Sequence, residues 1–401
     1  MLLYWIWFAQ LNKIPALLKQ AMLRQFHDPE EIYHSEAASL AAVQGMTETA
    51  MQALEDKDLA PAQKILEECE QKGIGVLTLH DRAYPNRLRN TADAPVLLYF
   101  KGKLPDWDAQ PVIGIVGTRK ASSYGLSTAG RFGKQIAACG ALVISGGASG
   151  IDAMAMKGAL EAGRPVVAVL GSGVDVVFPS ENRFLFSQVT EEGCLLSEYP
   201  PRTKAFGWHF PERNRIITGI SNGLLVVEAP EKSGAMISAR WALDQGREVF
   251  AVPGNVDVAS CAGSNALLQD RAMPALSGWD VVKDYADLWP DVVQKRTAEF
   301  VGAPSTNVAQ RPLKLQYPGG EADKKDIDKE EKSTYSVLNS KKTTLSEPEQ
   351  AVFALITREP IAVDELIAQA QMSAGAVKAI LTRLTIKGLT VNLPGGRVSL
   401  K

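Results

Sequence analysis

VIGIVGTRKASSYG at residues 112–125, followed by ALVISGGASGID at 141–152, is the stretch of sequence that decides the fold. Each part starts with a continuous apolar run and then passes into a loop rich in glycine and serine. Such runs are typical of strands buried on both faces of a parallel sheet, and the segments between them are long enough for crossover helices. The sequence therefore predicts an α/β domain, a Rossmann-like doubly wound sheet. The six predicted strands lie at 112–117, 141–145, 165–171, 194–198, 223–229 and 247–254.

The region before the α/β domain, residues 1–80, is predicted to be helical because its apolar residues recur at three- and four-residue spacing. The stretch around Gly45 is compatible with a SAM-like or helix-hairpin-helix-like unit whose turn contacts a DNA backbone, or with a packing domain, which we favour. The apolar N-terminal run MLLYWIWFAQ is too short to span a bilayer and lacks the basic start of a signal peptide. We expect it to form a buried helix.

We assign the α/β domain to residues 81–293. The region that follows it falls into two parts. Residues 294–346 are rich in polar and charged residues and are predicted to be a flexible linker. Residues 347–401 contain three apolar-periodic segments followed by two short strands around a Gly-Gly turn, which predicts a winged helix. Its basic residues could contact DNA, or the domain could dock a protein. Those residues are Lys378, Arg383, Lys387 and Arg397.

The composition is that of an ordinary globular protein, with 401 residues, 46% of them hydrophobic. Its 43 basic and 45 acidic residues give a formal net charge of −2, so any polyanion must be bound by a local concentration of cations. The four cysteines are far apart and form neither a CxxC pair nor a Cys/His cluster, which predicts no metal site and favours a reducing cytoplasm.

Two glycine-rich loops, 117–125 and 145–152, are predicted to lie at the carboxyl ends of adjacent strands. Glycines allow a close approach of the backbone to a ligand, and the amides at a helix start favour phosphate. Arg119 adds a guanidinium that can bind phosphate through two nitrogens. These features predict an anion site. The G-x-G-x-x-G pattern fails at Val176 and no Walker A pattern is present, so no nucleotide cofactor is predicted.

The segment PPRTKAFGWHFPERNRIITG, residues 200–219, alternates cations with aromatic residues. Cations that follow a phosphate backbone, together with aromatic faces on which bases stack, are what single-stranded nucleic acid requires. We expect Phe210 to be the stacking residue and Phe206 and Trp208 to be packing residues. The cations are Arg202, Lys204, Arg213 and Arg215, set against the single acid Glu212.

Six motifs, in this order, resemble the DNA-processing protein A (DprA/Smf) family. They are VGTRKASSYG (116–125), SGGASGIDAMAMKGAL (145–160), SEYPP (197–201), FPERNRIITGIS (210–221), VVEAPEKSGAMISARWAL (226–243) and AVPGNVDVASCAGSNALLQDRA (251–272). The resemblance implies a non-enzymatic recombination mediator that binds and protects single-stranded DNA in natural transformation and loads the RecA recombinase onto it. It also implies a homodimer formed through the Rossmann-like domain. From the short N-terminal apolar run, we expect no membrane association.

Carried over by motif, the resemblance implies a set of DNA-binding residues. Arg119 of the triplet that begins at Gly117 would hold a phosphate, and the loop after the second strand would supply backbone donors. Ser149 is a departure, because the family often has arginine there. The loop donors are Ser145, Gly146, Gly147 and Gly150, and the residues lining the DNA path are Lys204, Phe210, Arg213, Asn214 and Arg215.

An enzyme is the alternative. Asp152 and Glu228 could act as an acid and a base. We expect instead that Asp152 is a helix-start residue and that Glu228 is a buried partner for an arginine or a backbone group. The architecture is similar to that of the lysine-decarboxylase-like phosphoribohydrolases, whose PGGxGTxxE segment contains a catalytic glutamate. The corresponding stretch here, EAPEKSGAMISA (228–239), lacks both the glycine pair and that glutamate. We therefore expect no catalysis, cofactor or metal.

Overall fold

The computed structural model describes residues 1–295, 347–356, 361–370, 372, 374–386, 389–393 and 397–400. The chain divides into two units, Met1–Thr306 and Asn307–Lys401. The predicted linker lies outside the described residues except for positions 294 and 295.

The first unit is built on a nine-stranded sheet in the order β1-β2-β6-β5-β4-β3-β7-β8-β9. The strands from β3 to β9 run parallel, while β1 and β2 add an antiparallel edge next to β6. All six predicted strands are present, and β1, β2 and β9 extend the sheet beyond them. The strands are β1 (Gly75–Thr78), β2 (Leu97–Gly102), β3 (Val112–Val116), β4 (Leu142–Ser145), β5 (Val166–Leu170), β6 (Cys194–Ser197), β7 (Gly223–Val226), β8 (Glu248–Ala251) and β9 (Met273–Pro274).

The order of the strands places a topological switch beside β3. The chain winds outward from β3 through β4 and β5 to β6, then returns to pair β7 with the other edge of β3. In open parallel sheets, ligands bind outside the carboxyl ends of the strands at such a switch. The helices around the sheet are α7 (Asn86–Arg89), α8 (Ser123–Ala138), α9 (Ile151–Glu161), α10 (Arg183–Glu192), α11 (His209–Ile220), α12 (Gly234–Asp244), α13 (Ala262–Asp270) and α14 (Gly278–Val282).

The N-terminal region is helical up to β1, and its apolar side chains join the hydrophobic core of the sheet. The prediction of helices over residues 1–80 is wrong for Gly75–Thr78, which form β1 and pair with β2. Residues 5–8 of α1 are buried, so the N-terminal run is the buried helix that we expected. Gly45 has a positive φ of 86° between α4 and α5, which explains glycine at that turn. In the described part of the chain, no helix is long and apolar enough to cross a membrane. The six helices are α1 (Leu2–Gln10), α2 (Ala16–Phe26), α3 (Pro29–His34), α4 (Ala37–Ala41), α5 (Glu48–Leu54) and α6 (Ala60–Lys72).

Within its described residues, the second unit has three helices and a three-stranded antiparallel sheet in the order β10-β12-β11, around their own apolar core. The predicted winged helix is confirmed, with β10 as an additional strand. The Gly-Gly turn and Lys387 lie outside the described residues. The elements are α15 (Glu347–Ala354), β10 (Ile361–Ala362), α16 (Val363–Ala370), α17 (Ala374–Ile386), β11 (Thr390–Leu393) and β12 (Arg397–Leu400).

Candidate nucleic-acid interface

A cleft of about 740 Å³ opens at the carboxyl ends of the parallel strands, beside the switch point. The loop after β3 contributes Gly117, Arg119 and Lys120 to its wall, and helix α11 contributes Phe210 and Asn214. The loop after β4 and the start of α12 complete the wall. The two glycine-rich loops and the FPERNR segment, far apart in sequence, therefore meet at one site, which we call the cleft.

Arg119 and Phe210 are the cleft residues whose side chains are best placed to contact a ligand. Arg119 is exposed, and its guanidinium carbon lies 4.8 Å from the centre of the Phe210 ring. The ring of Phe178 lies 5.7 Å from that of Phe210, and both rings border a small cavity of about 90 Å³ beside Arg119. A cation and aromatic faces thus share one opening. We did not predict Phe178, although it lies in the loop that follows β5 at the same edge of the sheet.

The loop after β4 borders the cleft, and its glycines determine its backbone conformation. Gly147 and Gly150 have positive φ values of 66° and 80°, a conformation that favours glycine. A Cβ atom on Gly150 would lie 2.5 Å from the carbonyl oxygen of Thr118 in the neighbouring loop. Ser145 is fully buried, and its hydroxyl donates to the carbonyl oxygen of Ile115 at 2.6 Å. Gly147 and Gly150 therefore stay candidates for phosphate contact, whereas the side chain of Ser145 is structural.

Asp152 and Arg213 fix the backbone of this loop through hydrogen bonds. The Asp152 carboxylate accepts hydrogen bonds from the amides of Gly146, at 3.2 Å, and Ala148, at 3.4 Å. The buried Arg213 guanidinium donates to the carbonyl oxygens of Gly146, at 2.6 Å, and Val169. The amide of Gly146 is thus already bonded, and Arg213 lies in the floor of the cleft. The Gly146 amide and the Arg213 side chain therefore shape the loop rather than project toward DNA, which corrects the DNA-binding roles predicted for these two residues.

Burial shifts the pKa of both members of this pair toward the uncharged form. It raises the pKa of the Asp152 carboxyl, against the opposing effect of Arg213 and the two amides. It lowers the pKa of Arg213 to about 10, so this guanidinium stays protonated at neutral pH. Its Nε atom is buried without a hydrogen-bond partner among the residues that the structure describes.

Glu228, the second acid considered for catalysis, fixes the loop after β3. Its carboxylate is buried and accepts hydrogen bonds from the Ser122 hydroxyl, at 2.7 Å, and the Ser122 amide. Ser122 is the N-cap of α8, so Glu228 stabilises the start of that helix. The predictions of a helix-start role for Asp152 and a buried partner role for Glu228 are confirmed. No cluster of metal-ligating side chains occurs in the described ranges.

Arg215 and Lys204 lie outside the cleft. Arg215 is 9% exposed, pairs with Glu198 at 2.5 Å and Asp93 at 3.7 Å, and faces the N-terminal helices. Its charge is satisfied by these acids, so the structure corrects its predicted role in the DNA path. Lys204 is exposed on the loop before α11 and does not line the cleft. Asn214 does line it and donates to the carbonyl oxygen of Gly234 at 3.3 Å.

The exposure of Phe206 and Trp208 differs from the prediction that they are packing residues. They pack on one another, as parallel rings 4.8 Å apart, but remain 41% and 64% exposed. The prediction that they are packing residues is wrong for their outer faces, because a core residue would be covered on both sides.

Comparison with known proteins identifies the family to which the chain belongs. The family model described as DNA recombination-mediator protein A matches residues 75–286, and that of the DprA winged helix domain matches residues 339–396. Protein Smf of Synechocystis sp. is 31% identical over 98% of this chain and 97% of its own length. The chain belongs to the DprA/Smf family.

Two further DprA proteins are similar to parts of this family member. DNA processing protein DprA of Bacillus subtilis is 38% identical over 55% of this chain and 74% of its own length. The X-ray structure of DNA processing protein A from Streptococcus pneumoniae superposes with a TM-score of 0.63 at 30% identity, covering 71% of this chain and 98% of that one. The fold class and the family resemblance drawn from the motifs are thereby confirmed.

Proposed function

We propose that this DprA/Smf-family protein binds single-stranded DNA in the cleft, without sequence preference. The observation that carries the proposal is the exposed Arg119 guanidinium lying 4.8 Å over the Phe210 ring, at the open edge of the sheet. A phosphate bound by Arg119 brings the attached base next to an aromatic face. Every base has such a face to stack on, so this arrangement is tolerant of sequence.

The loops provide a rigid frame for this contact. Glu228 fixes the loop after β3, and Asp152 with Arg213 fixes the loop after β4. The Gly150 backbone is thereby held against the backbone of Thr118 and Arg119. A preformed site loses less entropy when the strand binds. Because both acids are hydrogen-bonded to the frame, the geometry favours binding over acid–base catalysis.

The broader role is part of the same proposal. The family model that matches the chain is described as a recombination mediator. We infer that the protein holds incoming single strands in the cytoplasm, acts as a homodimer and delivers the strand to a RecA-type recombinase. The domain boundaries at residues 80, 293 and 346 also stay predictions.

The test is a titration of oligo-dT by fluorescence anisotropy at several salt concentrations. Arg119→Ala is expected to weaken binding about 10- to 100-fold, because a charge-assisted phosphate contact is lost. The slope of log K against log salt should become shallower by about 0.7, the value for one phosphate on a single strand. The matched control is Arg131→Ala, an exposed arginine that lies over the Phe132 ring at 5.2 Å, outside the cleft.

Equal affinities of the wild type and the Arg119→Ala variant would remove the cleft from the DNA path. Strand delivery is tested separately, by RecA ATPase activity on oligonucleotides coated with single-strand-binding protein. The wild type should shorten the lag before the ATPase starts, and no change in lag would contradict the delivery role. Release of free base from nucleoside monophosphates would favour the phosphoribohydrolase alternative.

A further inference from the structure

The loop formed by residues 202–208 separates the cleft from a second cavity. Gly207 lines the cleft, whereas Phe206 and Trp208 line a cavity of about 760 Å³ on the other side of the loop. Asn12 and Pro15 of the N-terminal region contribute to the opposite wall of that cavity. A strand that leaves the cleft across Gly207 therefore meets the two aromatic rings next.

The Phe206–Trp208 pair, which we call the outer platform, has the geometry of a stacking surface. The rings are parallel within 6°, and Trp208 is 64% exposed. Both rings form T-shaped pairs with His209, at centroid distances of 5.4 and 5.7 Å. The His209 ring is held in place by the carbonyl oxygen of Gly171 at 3.0 Å and by the stacked Tyr199 ring at 3.8 Å. The platform is thus held in place by His209, while both of its rings remain accessible to solvent.

The base of the loop is tied to the rest of the unit. The Asp175 carboxylate accepts a hydrogen bond from the Arg202 amide at 2.8 Å and pairs with Lys72 of helix α6. The Thr203 carbonyl oxygen accepts a hydrogen bond from the Gly173 amide at 2.9 Å. These contacts limit the conformations of the loop, so the exposed rings keep a defined position.

The charges around the platform indicate which part of a ligand faces it. Lys204 is exposed on the same loop, two residues before Phe206. On the cavity side, the Glu212 carboxylate is exposed and accepts a hydrogen bond from the Tyr199 hydroxyl at 3.1 Å. Phosphates are attracted by Lys204 and repelled by Glu212, so a strand would turn its bases toward the platform.

We propose that the outer platform is a second base-stacking site for the same strand that is held at Phe210. The inference rests on the proposed function of the cleft and adds to it a path for the strand. Consecutive Cα atoms are about 3.8 Å apart, so the Cα atoms of Trp208 and Phe210 are separated by at most about 7.6 Å. The two rings are therefore anchored close together on the backbone, which places both stacking positions within reach of a single strand.

The experiment measures the affinity of the full chain for a series of oligo-dT lengths, starting from the shortest that binds. Trp208→Ala is expected to leave the shortest oligonucleotide bound as in the wild type and to weaken longer ones about 5- to 150-fold. Trp208→Phe should restore much of the loss because it keeps an aromatic face. Phe184→Ala, which removes an exposed ring elsewhere, is the matched control and should change nothing. Glu212→Gln should tighten the longer complexes.

The outcomes separate this inference from the proposed function. Loss of affinity at every length in Phe210→Ala, with no length-dependent effect in Trp208→Ala, would keep the cleft and overturn the outer platform. A Trp208→Ala variant that binds all DNA normally but loses binding to RecA would assign the platform to a protein and equally overturn the inference. Cross-linking of 5-iododeoxyuridine within a long oligonucleotide to Trp208 would support it directly.

Discussion

On one side of helix α11, Phe210 and the exposed Arg119 face an open cleft, whereas on the other side Arg215 is enclosed by Glu198 and Asp93. The two arginines look alike in sequence, but only Arg119 has a charge left for a ligand. Arg215 already has the partners that a phosphate would replace, and separating a buried pair costs more than it returns. A cation near the cleft is therefore available to a phosphate only where the fold leaves it unpaired.

The largest effect is expected from Arg215→Ala, and it should fall on stability. The substitution leaves Glu198 and Asp93, with side chains 28% and 21% exposed, without their cation. We expect the free energy of unfolding to fall by about 3 kcal/mol, the lower end of the cost of breaking a buried pair. Urea unfolding measures this loss. The folded fraction should bind oligo-dT as the wild type does, unlike Arg119→Ala.

The opposite result for Arg215→Ala would contradict the distinction between a paired Arg215 and an unpaired Arg119. If Arg215→Ala keeps its stability but loses DNA affinity and salt dependence, Arg215 belongs to the DNA path after all. The variant Arg215→Met combined with Glu198→Gln and Asp93→Asn provides the complementary check. It removes the uncompensated acids and should recover part of the lost stability.

Gly146→Ala tests the frame beneath the cleft and is expected to have an intermediate effect. A Cβ atom at this position would lie 2.4 Å from a guanidinium nitrogen of Arg213, which is itself bonded to the Gly146 carbonyl oxygen. We expect a loss of about 1–3 kcal/mol of stability from overpacking, together with weaker DNA binding as the loop shifts. Thermal unfolding and anisotropy measure the two effects.

Gly130→Ala is the control for this substitution. Its added Cβ atom would meet its nearest neighbours, on Met154, at an ordinary 3.7 Å, inside helix α8. It should be neutral or slightly stabilising, because alanine is favoured over glycine in a helix. Normal stability of Gly146→Ala would show that Arg213 moves freely, against its role as a fixed support.

Most of the parallel sheet could be predicted from the sequence, because continuous apolar runs bounded by glycine have few other interpretations. The antiparallel edge could not. Strand β2 has a visible apolar run, but its pairing with β6 depends on which sheet edge is free after the domain has folded. Among the described residues, strand β1 pairs with β2 alone, so it could not be predicted before β2 was placed.

The site was predictable to the extent that it depends on local backbone conformation. The loops at Gly147 and Gly150 need positive φ, and glycine shows this in the sequence. The roles of Arg213 and Arg215 were not predictable. They are two residues apart on a helix with 3.6 residues per turn, so their side chains point in nearly opposite directions. Their partners, Gly146 and Asp93, come from distant segments.

The smallest effect is expected from Lys19→Met on the ion-paired side of α11. Lys19 is 8% exposed, and its ammonium donates to the carbonyl oxygen of Ala9 at 2.8 Å. Burial lowers its pKa to about 8, against the attraction of Glu198 and with a smaller contribution from Arg215. Methionine removes the cost of burying this charge, so we expect a gain of about 1 kcal/mol at neutral pH after the lost hydrogen bond is subtracted.

The sign of the pH dependence makes this prediction specific. Between pH 8 and the pKa of 10.5 in the unfolded chain, the unfolded state binds more protons than the folded state. The stability contributed by wild-type Lys19 therefore rises with pH through this window, and the advantage of methionine should disappear toward pH 10.5. Urea unfolding of both proteins from neutral pH upward measures the difference, with Lys13→Met, an exposed lysine, as the control. A difference that stays constant with pH would show that Lys19 is hydrated in the folded protein, and that the two sides of α11 differ less in burial than the structure indicates.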